Sequence, residues 1–249
     1  MTRLSVNLNK VCLLRNQRDV GYPDVSDAAV EVLAAGAEGI TLHPRPDRRH
    51  VKPCDVRALT ALLHDDWPAR PLNLEGYPDD DFLALVAEAR PAQVTLVPDA
   101  PDARTSSEGW RLCGNTRLLR DSIEALRPST GRIALLIDPD PTAPAVARAV
   151  GADAVEIFTG GLVGDAPALF LNQCQRTALS AADVGVAVHG GHDLNLDNLR
   201  PFLAAVPACA EVSIGHALVA DALRLGWRHS VGAYLAILRD AGPARAAPP

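Results

Sequence analysis

Two patterns of apolar and polar residues alternate along nearly the whole chain. Short runs rich in apolar and β-branched residues, bounded by polar residues, are each followed by a longer segment with helical spacing. The runs that the pattern predicts as strands are Leu4–Leu8, Gly39–His43, Pro71–Glu75, Gln93–Val97, Ile133–Ile137, Ala154–Phe158, Val186–Val188 and Glu211–Ile214. Strands that alternate with helices in this number predict an α/β fold, a (β/α)8 TIM barrel with parallel strands.

Signals for the starts and ends of helices support this reading. Asp27 and Asp79 precede helical segments and are of the residue type that caps helix N-termini. Gly36, Gly151 and Gly185 stand where a helix would end before the next strand. Each predicted helix therefore lies between two predicted strands.

The domain organisation follows from the same pass along the chain. We see no linker that would divide it, so residues 1–240 are predicted to form a single (β/α)8 barrel domain. The longest irregular stretch, Pro98 to about Asn115, predicts a functional loop or a partly ordered excursion. Residues 241–249 are small and proline-rich, and are predicted to be a disordered tail.

Charge and hydropathy limit the possible partners and the location. The chain has 249 residues, with 24 Lys and Arg against 30 Asp and Glu, for a net charge of −6. This balance gives no reason to expect a nucleic-acid partner. No apolar run approaches the roughly 20 residues of a membrane span, and the chain starts without a signal-peptide pattern. We therefore expect no membrane partner and a cytoplasmic protein.

The cysteines give no sign of a disulfide framework or of a zinc site. They are odd in number, widely scattered and without a CxxC pair: Cys12, Cys54, Cys113, Cys174 and Cys209. Buried free thiols are the expected state. No HxH or HExxH spacing occurs either, so no metal site is predicted.

Reactive side chains collect at or just after the ends of the predicted strands. In strand order they are Asn7 and Asn9, His43 and Arg45, Glu75, Asp138, Glu156 and Thr159, His189 and His192, and Gly215 and His216. Active sites of (β/α)8 barrels lie at the carboxyl ends of the strands. These residues are therefore the candidates for the chemistry.

The segment HPRPDRRH concentrates positive charge in one loop of an acidic chain. Guanidinium groups donate paired hydrogen bonds to a phosphate or carboxylate, so the loop predicts an anion site. The alternative is that its arginines pair with surface carboxylates. The cluster contains His43, Arg45, Arg48, Arg49 and His50, with Arg15 and Arg18 as candidates to extend it.

Glu75, Glu156 and His192 are the candidates for proton transfer. Glu75 ends a strand in a partly dry cavity, where desolvation would raise its pKa and make it a usable base; Glu156 supports the same argument more weakly. His192 follows glycines that suit a phosphate site after the last strands, and its ordinary pKa suits an acid or base. The alternatives are a carboxylate buried against an arginine and a histidine bonded only to backbone.

At this point the residues resemble the pyridoxine 5′-phosphate synthases, over nearly the whole chain. The resemblance rests on VNLNKVCLLRNQR with YPD after it, GITLHPRPDRRHV, the strand NLE, VTLVP followed by SSEG, LLIDPD, VEIFTG, the GGH turn and IGHALV. It implies the condensation of 3-amino-2-oxopropyl phosphate with 1-deoxy-D-xylulose 5-phosphate to pyridoxine 5′-phosphate, phosphate and water, without a cofactor. It also implies a homo-oligomer, commonly an octamer.

The resemblance also assigns roles by position. His43 and Glu75 would accept protons, His192 would donate one, and Glu156 would polarise the reacting groups. The deoxyxylulose phosphate would be held by Arg45, His50 and Ser106, and the aminoketone phosphate by Asn7, Arg18, Gly215 and His216. The substrate-binding set is completed by Asn9, Lys10 and Asp193.

Several positions depart from the family pattern, and they leave two alternatives open. Asn9 and Lys10 stand where the family has Asp-His, Phe158 replaces a histidine, and Asp193 replaces a glycine. One alternative is a paralogue that acts on other phosphorylated carbonyl compounds, with Lys10 forming a Schiff base. The other is a non-catalytic protein that binds a B6 vitamer.

Overall fold

Eight parallel strands close into a barrel in the order in which they occur along the chain. The computed structural model describes residues 1–99, 106–164 and 166–241. The strands are β1 (Arg3–Asn7), β2 (Gly39–Leu42), β3 (Leu72–Gly76), β4 (Gln93–Leu96), β5 (Arg132–Ile137), β6 (Ala154–Phe158), β7 (Ala187–Gly191) and β8 (Cys209–Ile214). Each strand pairs in parallel with its neighbours, and β8 pairs with β1. The predicted fold class is confirmed.

The helices surround the barrel. They are α1 (Asn9–Arg15), α2 (Val25–Ala34), α3 (Pro53–Asp66), α4 (Asp80–Ala89), α5 (Leu112–Leu126), α6 (Ala143–Ala149), α7 (Pro167–Asp183), α8 (Leu199–Ala205), α9 (His216–Leu225) and α10 (Trp227–Ala241), with 3-10 turns at Arg127–Ser129 and Gly160–Val163. Two helices follow β1 and two follow β8. The regular alternation of strands and helices therefore has one extra helix after β1 and one after β8, the two strands whose pairing closes the barrel.

Short side chains fix where several helices begin and end. Asp79 caps α4 as predicted, since its carboxylate accepts a hydrogen bond from the Phe82 amide at 2.8 Å. The prediction for Asp27 is wrong: α2 begins at Val25, and Asp24 is the cap that accepts from the amide of Asp27. An Asp in the first turn resembles a cap in sequence because both complement the helix dipole.

The inner face of the barrel is polar. Ser5 and Thr41 hydrogen-bond through their hydroxyls at 2.6 Å, Asn73 donates to Thr41 at 3.4 Å, and Thr95 donates to Asn73 at 3.2 Å. This layer joins β1 to β4 inside the barrel. The apolar core therefore lies outside the barrel wall, where strand residues such as Leu74 pack with the helices in one cluster.

Two predicted irregular segments are shorter than expected. The loop predicted to run to about Asn115 ends earlier, because α5 begins at Leu112; residues 100–105 of that loop lie outside the described residues. Ala241, predicted to open the tail, instead ends α10, and residues 242–249 lie outside the described residues. The sequence at both ends contains residues compatible with either state, so packing decides where the helix stops.

The five cysteines are free thiols. Cys12, Cys174 and Cys209 are buried as expected, but Cys54 and Cys113 are exposed. The prediction of burial is wrong for these two because each lies in the first turn of a helix, α3 and α5, on a side that faces solvent.

Candidate active site

His43 and Glu75 face each other at the carboxyl ends of β2 and β3, and both are nearly fully buried. The His43 Nδ1 atom lies 3.9 Å from Oε2 of Glu75, which is beyond direct hydrogen-bond range. Asn7 donates to the same carboxylate at 3.3 Å, and the Ser213 hydroxyl donates to its other oxygen at 3.5 Å. Side chains from β1, β3 and β8 thus fix the carboxylate and leave room beside the imidazole.

Burial sets the protonation of this pair. Loss of solvation lowers the pKa of His43 to about 3, and the positive charge of Arg45 acts in the same direction. Burial raises the pKa of Glu75 well above its ordinary value, and the carboxylates of Glu156 and Asp99 add to the rise. This is the direction predicted for Glu75. At neutral pH the imidazole is neutral and can accept a proton, and the raised pKa of Glu75 makes its carboxylate a stronger base than an ordinary one.

Arg45, Asp99 and Ser106 come together next to this pair. The Arg45 guanidinium donates to Oδ2 of Asp99 at 2.5 Å, and the Ser106 hydroxyl donates to the same oxygen at 2.8 Å. The Nε2 atom of His43 lies 3.9 Å from that oxygen. Arg45 and Ser106 are therefore arranged to hold an anionic oxygen, and the Asp99 carboxylate takes that position here.

Sequence reasoning missed Asp99. It follows β4 closely and is buried, as a side chain at the active face of a barrel should be. The rule that selected residues after the other strands would have found it. The strand pattern does not reveal Asp99 because Pro98 and the polar residues that follow indicate a loop.

The predicted basic cluster divides into two parts. Arg45 is buried at the site, whereas Arg49 pairs with Asp47 on the same loop at 2.5 Å. Arg15 is held by Asp55 of α3 at 2.5 Å, so it joins α1 to α3 rather than extending an anion site. The alternative of pairing with carboxylates therefore holds for Arg15 and Arg49.

The segment after β1 reaches the site through side-chain amides. Asn9 accepts a hydrogen bond from the His43 amide at 2.9 Å, and Asn7 accepts one from the Asn9 amide at 3.0 Å. Lys10 is half-buried in the first turn of α1. Burial lowers the pKa of His50 to about 3, and nearby positive charges, that of Lys10 among them, lower it further. Lys10 thus lies on the side of the site that contains His50.

Glu156 lies inside the barrel on β6, directly over the backbone of β7. A Cβ atom on Gly191 would come 1.8 Å from its Oε1 atom, so only glycine leaves space for the carboxyl. Burial raises the pKa of Glu156 to about 8, and the Glu211 carboxylate adds to the rise, while a hydrogen bond from Thr95 opposes it. Glu156 is therefore mostly protonated near neutral pH and can donate a hydrogen bond.

His192 lies in the turn that follows β7, near the end of β6. Its ring packs against Phe158, with 4.6 Å between ring centroids, and its Nδ1 atom lies 3.1 Å from Oδ2 of Asp193. His192 thus has an aromatic ring on one face and a carboxylate near one of its nitrogens.

Gly215 and His216 lie between β8 and α9. Gly215 precedes the helix, and a Cβ atom there would lie 3.0 Å from Cβ of Asn7, so the backbone approaches the first strand closely. His216 is the first residue of α9 and is exposed, as is Arg18 beyond the end of α1. Gly215 thus joins the Asn7 side of the site, while the side chains of His216 and Arg18 are exposed to solvent.

His189 does not lie at the active face, contrary to the expectation from the strand pattern. β7 continues to Gly191, and its register with β8 shifts between Val188 and His189. His189 is therefore buried inside the barrel, where it pairs in register with Glu156 and Glu211. The alternating pattern gives no sign that β7 continues past Val188, so it places His189 after the strand instead of within it.

The described part of the chain bears on two further questions, metal binding and membrane spanning. Within residues 1–99, 106–164 and 166–241, no three His, Cys, Asp or Glu side chains are grouped so that they could hold a metal ion. Among the helices of these ranges, none has both the length and the apolar composition needed to cross a membrane.

Comparison with known proteins finds close relatives of one name. Pyridoxine 5′-phosphate synthase of Chelativorans sp. (strain BNC1) is 47% identical over 240 residues, covering 94% of this chain and 97% of that protein. The enzyme of the same name from Albidiferax ferrireducens is 48% identical over 245 residues, covering 94% and 96%. Among solved structures, phosphoribosyl anthranilate isomerase from Thermotoga maritima superposes with a TM-score of 0.64 at 12% identity, covering 96% of this chain and all of that one, which shows the barrel fold alone.

The sequence profile of the pyridoxal phosphate biosynthesis protein PdxJ matches residues 4–240. This match includes β1 from Leu4 onward, the other seven strands completely and all of the candidate residues described above. The chain therefore belongs to the PdxJ family of pyridoxal phosphate biosynthesis proteins.

Proposed function

We propose that this protein is a pyridoxine 5′-phosphate synthase, which condenses 3-amino-2-oxopropyl phosphate with 1-deoxy-D-xylulose 5-phosphate. The observation that carries the proposal is the buried pair of His43 and Glu75, whose side chains face each other at 3.9 Å beside Arg45. Ring closure between an aminoketone and a ketose needs repeated proton transfer in a dry site, and this pair provides two groups that can accept protons.

The reaction divides into steps that these groups can serve. The amine attacks the ketone, and loss of water then requires a proton on the departing oxygen. Phosphate loss, aldol closure and a further dehydration each combine removal of a proton from carbon with protonation of an oxygen. His43 and Glu75 take up the protons, His192 donates them to departing oxygens, and the protonated Glu156 hydrogen-bonds to a reacting carbonyl or hydroxyl.

Two anion sites hold the substrates. Arg45, His50 and Ser106 bind the phosphate of the deoxyxylulose, which displaces the Asp99 carboxylate from Arg45 and Ser106. The aminoketone phosphate lies near the ends of β1 and β8, where Asn7 approaches the backbone of Gly215, and Arg18 and His216 complete its contacts. The amide groups of a helix N-terminus favour an anion at that point.

The residues after β1 complete the set. Asn9 keeps the loop after β2 in place through the His43 amide, and Lys10 contributes a phosphate contact near His50. Asp193 lies on the aminoketone side, where its backbone amide, rather than its carboxylate, faces the substrate.

The experiment is to incubate the purified protein with both substrates. The expected result is stoichiometric release of inorganic phosphate and formation of fluorescent pyridoxine phosphate. A His43→Gln variant serves as the control for contaminating activity and should form neither. If the wild-type protein gives no product at high enzyme concentration, the proposed function is wrong.

We also propose a cytoplasmic homo-oligomer, an octamer by resemblance to the family. Leu14, Val20 and Tyr22 expose 54%, 63% and 77% of their surface around the end of α1, which supplies an apolar area for contact between copies. Sedimentation velocity of the purified protein measures the mass directly. A sedimenting species with the mass of one chain would contradict the oligomer.

A further inference from the structure

Two side chains from the end of α1 hold the backbone around His50. Nδ2 of Asn16 donates hydrogen bonds to the carbonyls of Arg49 at 3.0 Å and of His50 at 2.8 Å. Nη2 of Arg15 donates to the same His50 carbonyl at 3.4 Å. The ring of His50 lies 6.0 Å from that of His43, between centroids. The loop after β2 is therefore joined to α1 at a residue whose ring lies beside the catalytic pair.

Arg15 also fixes the direction of the Asn16 amide. Its Nε and Nη2 atoms donate to Oδ1 of Asn16 at 3.2 Å and 2.9 Å, so the NH₂ group of that amide must face the two carbonyls. Asp55 of α3 accepts from both ends of the guanidinium, at 2.5 Å and 2.9 Å, and from the Lys52 amide at 2.8 Å. The two side chains of this ion pair are largely buried. A bidentate pair of this kind leaves the guanidinium little freedom, so α3 holds Arg15 and Arg15 holds Asn16.

The ring of His50 is held by the next amide along the chain. Its Nδ1 atom accepts a hydrogen bond from the Val51 amide at 2.9 Å. Because a backbone amide can only donate, Nδ1 carries no proton, and the proton of the neutral ring is on Nε2. Burial, with positive charges nearby, lowers the pKa of His50 to about 3, so the ring is neutral at neutral pH. His50 therefore offers an N–H donor in one direction rather than a positive charge.

We propose that Arg15 and Asn16 are positioning residues that act through His50 and keep its Nε2–H directed at the phosphate of the deoxyxylulose. The carbonyl of His50 and the amide of Val51 belong to one planar peptide group, so holding the first also holds the second. The bond from that amide to Nδ1 then fixes the rotation of the ring and its tautomer. In the other tautomer a lone pair of Nε2 would face the phosphate oxygens. The inference rests on the proposed function, since it takes His50 as a ligand of that phosphate.

The kinetic test measures KM separately for the two substrates. Asn16→Asp keeps the shape of the side chain and its acceptor for Arg15, but it replaces the amide donor by a carboxylate that faces two carbonyls. Gln17→Glu adds the same charge at the exposed neighbouring residue and is the matched control. In Asn16→Asp we expect KM for 1-deoxy-D-xylulose 5-phosphate to rise about 10-fold to 100-fold, by analogy with groups that orient other histidines. Because only binding of this substrate weakens, kcat and the KM for the aminoketone phosphate should stay within about twofold, and Gln17→Glu should match the wild type.

Two further variants separate positioning from folding. Asn16→Ala removes the donor without adding a charge and suits the helical backbone at this position, so it should show the same rise in one KM. Arg15→Lys keeps the charge but cannot bond both oxygens of Asp55 and the Asn16 oxygen together, and its KM should lie between those of Asn16→Ala and the wild type. Equal increases in both KM values would indicate general loosening of the face and would overturn the inference. A KM for the deoxyxylulose phosphate that is unchanged in Asn16→Asp and Asn16→Ala would also overturn it.

The state of the ring can be measured without turnover. In ¹⁵N spectra of the free protein at neutral pH, with the His50 signals assigned through His50→Gln, Nε2 should carry the proton and Nδ1 should be unprotonated. Inorganic phosphate should shift the Nε2 signal of the wild type at about tenfold lower concentration than in Asn16→Asp. In Asn16→Ala the two nitrogen signals should move toward each other as the tautomers exchange. A wild-type ring protonated on Nδ1, or identical spectra for the wild type and Asn16→Ala, would contradict the inference. If the wild type forms no product while its ring signals and their response to phosphate are as expected, the proposed function fails and the positioning of His50 stands.

Discussion

At the scale of single residues, burial rather than charge pairing sets the acid–base character of the site. His43, Glu75 and Glu156 are each nearly fully buried, and burial is the largest cause of the pKa shift at each of them. The neutral form is favoured in every case, so the imidazole can accept a proton and the two carboxyl groups are weaker acids than usual. A site of this composition is suited to moving protons among neutral groups at neutral pH.

Replacement of Glu75 by glutamine should remove proton exchange while keeping size and hydrogen bonds to Asn7 and Ser213. We expect kcat to fall about 10²-fold to 10⁴-fold, the usual contribution of a general acid or base. Steady-state assays of phosphate release measure it. Glu88→Gln, an exposed carboxylate on α4, is the matched control and should leave kcat unchanged. Equal rates for Glu75→Gln and the wild type would show that this carboxyl takes no part in proton transfer.

The raised pKa of Glu156 predicts how stability depends on pH. The folded carboxyl keeps its proton up to about pH 8, whereas the unfolded one loses it near pH 4.5. The folded state therefore binds more protons between these values, and this group lowers the free energy of unfolding as pH rises through the window. In Glu156→Gln that loss is absent, so the variant should gain stability relative to the wild type from pH 5 to pH 8.

Urea unfolding at several pH values measures this difference. The control is Glu124→Gln, which replaces an exposed carboxylate on α5. A stability difference between Glu156→Gln and the wild type that stays constant from pH 5 to pH 8 would mean that the folded carboxyl titrates normally.

At the scale of elements, the contact between β6 and β7 decides where the catalytic face begins. A Cβ atom on Gly191 would meet Glu156 inside the barrel, while a Cβ atom on Gly190 would meet Phe202 of α8 on the outside. Two adjacent glycines thus bring the strand close to Glu156 on one side and to a helix on the other. The carboxyl of Glu156 reaches its position because the neighbouring strand lacks a side chain there.

Gly191→Ala should displace Glu156, because the new Cβ would come 1.8 Å from its Oε1 atom. We expect a loss of about 1–3 kcal/mol of unfolding free energy, as for other overpacked sites, together with reduced kcat. Gly232→Ala is the matched control: it lies in α10 with nothing within 4 Å of the added Cβ. It should stabilise the protein by about 0.5–1 kcal/mol, because alanine favours a helix over glycine. A Gly191→Ala variant as stable and active as the wild type would contradict the close contact.

At the scale of the whole molecule, an acidic protein must bind acidic substrates. Its net charge is −6, so attraction of phosphate over long distances cannot be the reason for binding. The protein instead has to bind anions through local contacts. Arg45 is buried, and its guanidinium is held at the catalytic face, while most carboxylates lie elsewhere on the surface. Binding of an anion should therefore depend on few residues rather than on overall charge.

Inorganic phosphate should raise the melting temperature of the free protein by occupying the site beside Arg45. At ten times the Kd the gain is about 1.4 kcal/mol, or roughly 3–6 °C for a chain of this size. Sodium chloride at equal ionic strength is the reference. The increment should vanish in Arg45→Met and persist in Arg57→Met, a surface arginine paired with Glu88. An equal increment in Arg45→Met would place the anion elsewhere.

That residues 1–240 form a single domain remains a prediction. Trp67, Trp110 and Trp227 lie in different parts of the barrel, so urea unfolding followed by tryptophan fluorescence and by circular dichroism should coincide. Transitions that separate would indicate units that unfold independently.

The sequence by itself determined the barrel, its strand order and most of the active face. Alternation of strands and helices leaves few topologies, and parallel neighbours place all carboxyl ends on one side, so residues such as His43, Glu75 and His192 could be assigned to one face without coordinates. The cap predicted at Asp79 is confirmed, because a helix cap depends on residues only three positions away along the chain.

Only the tertiary structure decided which of these side chains serve the site. β7 extends to Gly191 and so contains His189 within the barrel, Arg15 pairs with Asp55 on another helix, and Asp99 accepts hydrogen bonds from Arg45 and Ser106. Each of these features joins residues from different βα units or depends on how far a strand extends, and none of them is encoded in local spacing. The pKa values likewise depend on burial by the whole fold, which a linear pattern of residues does not contain.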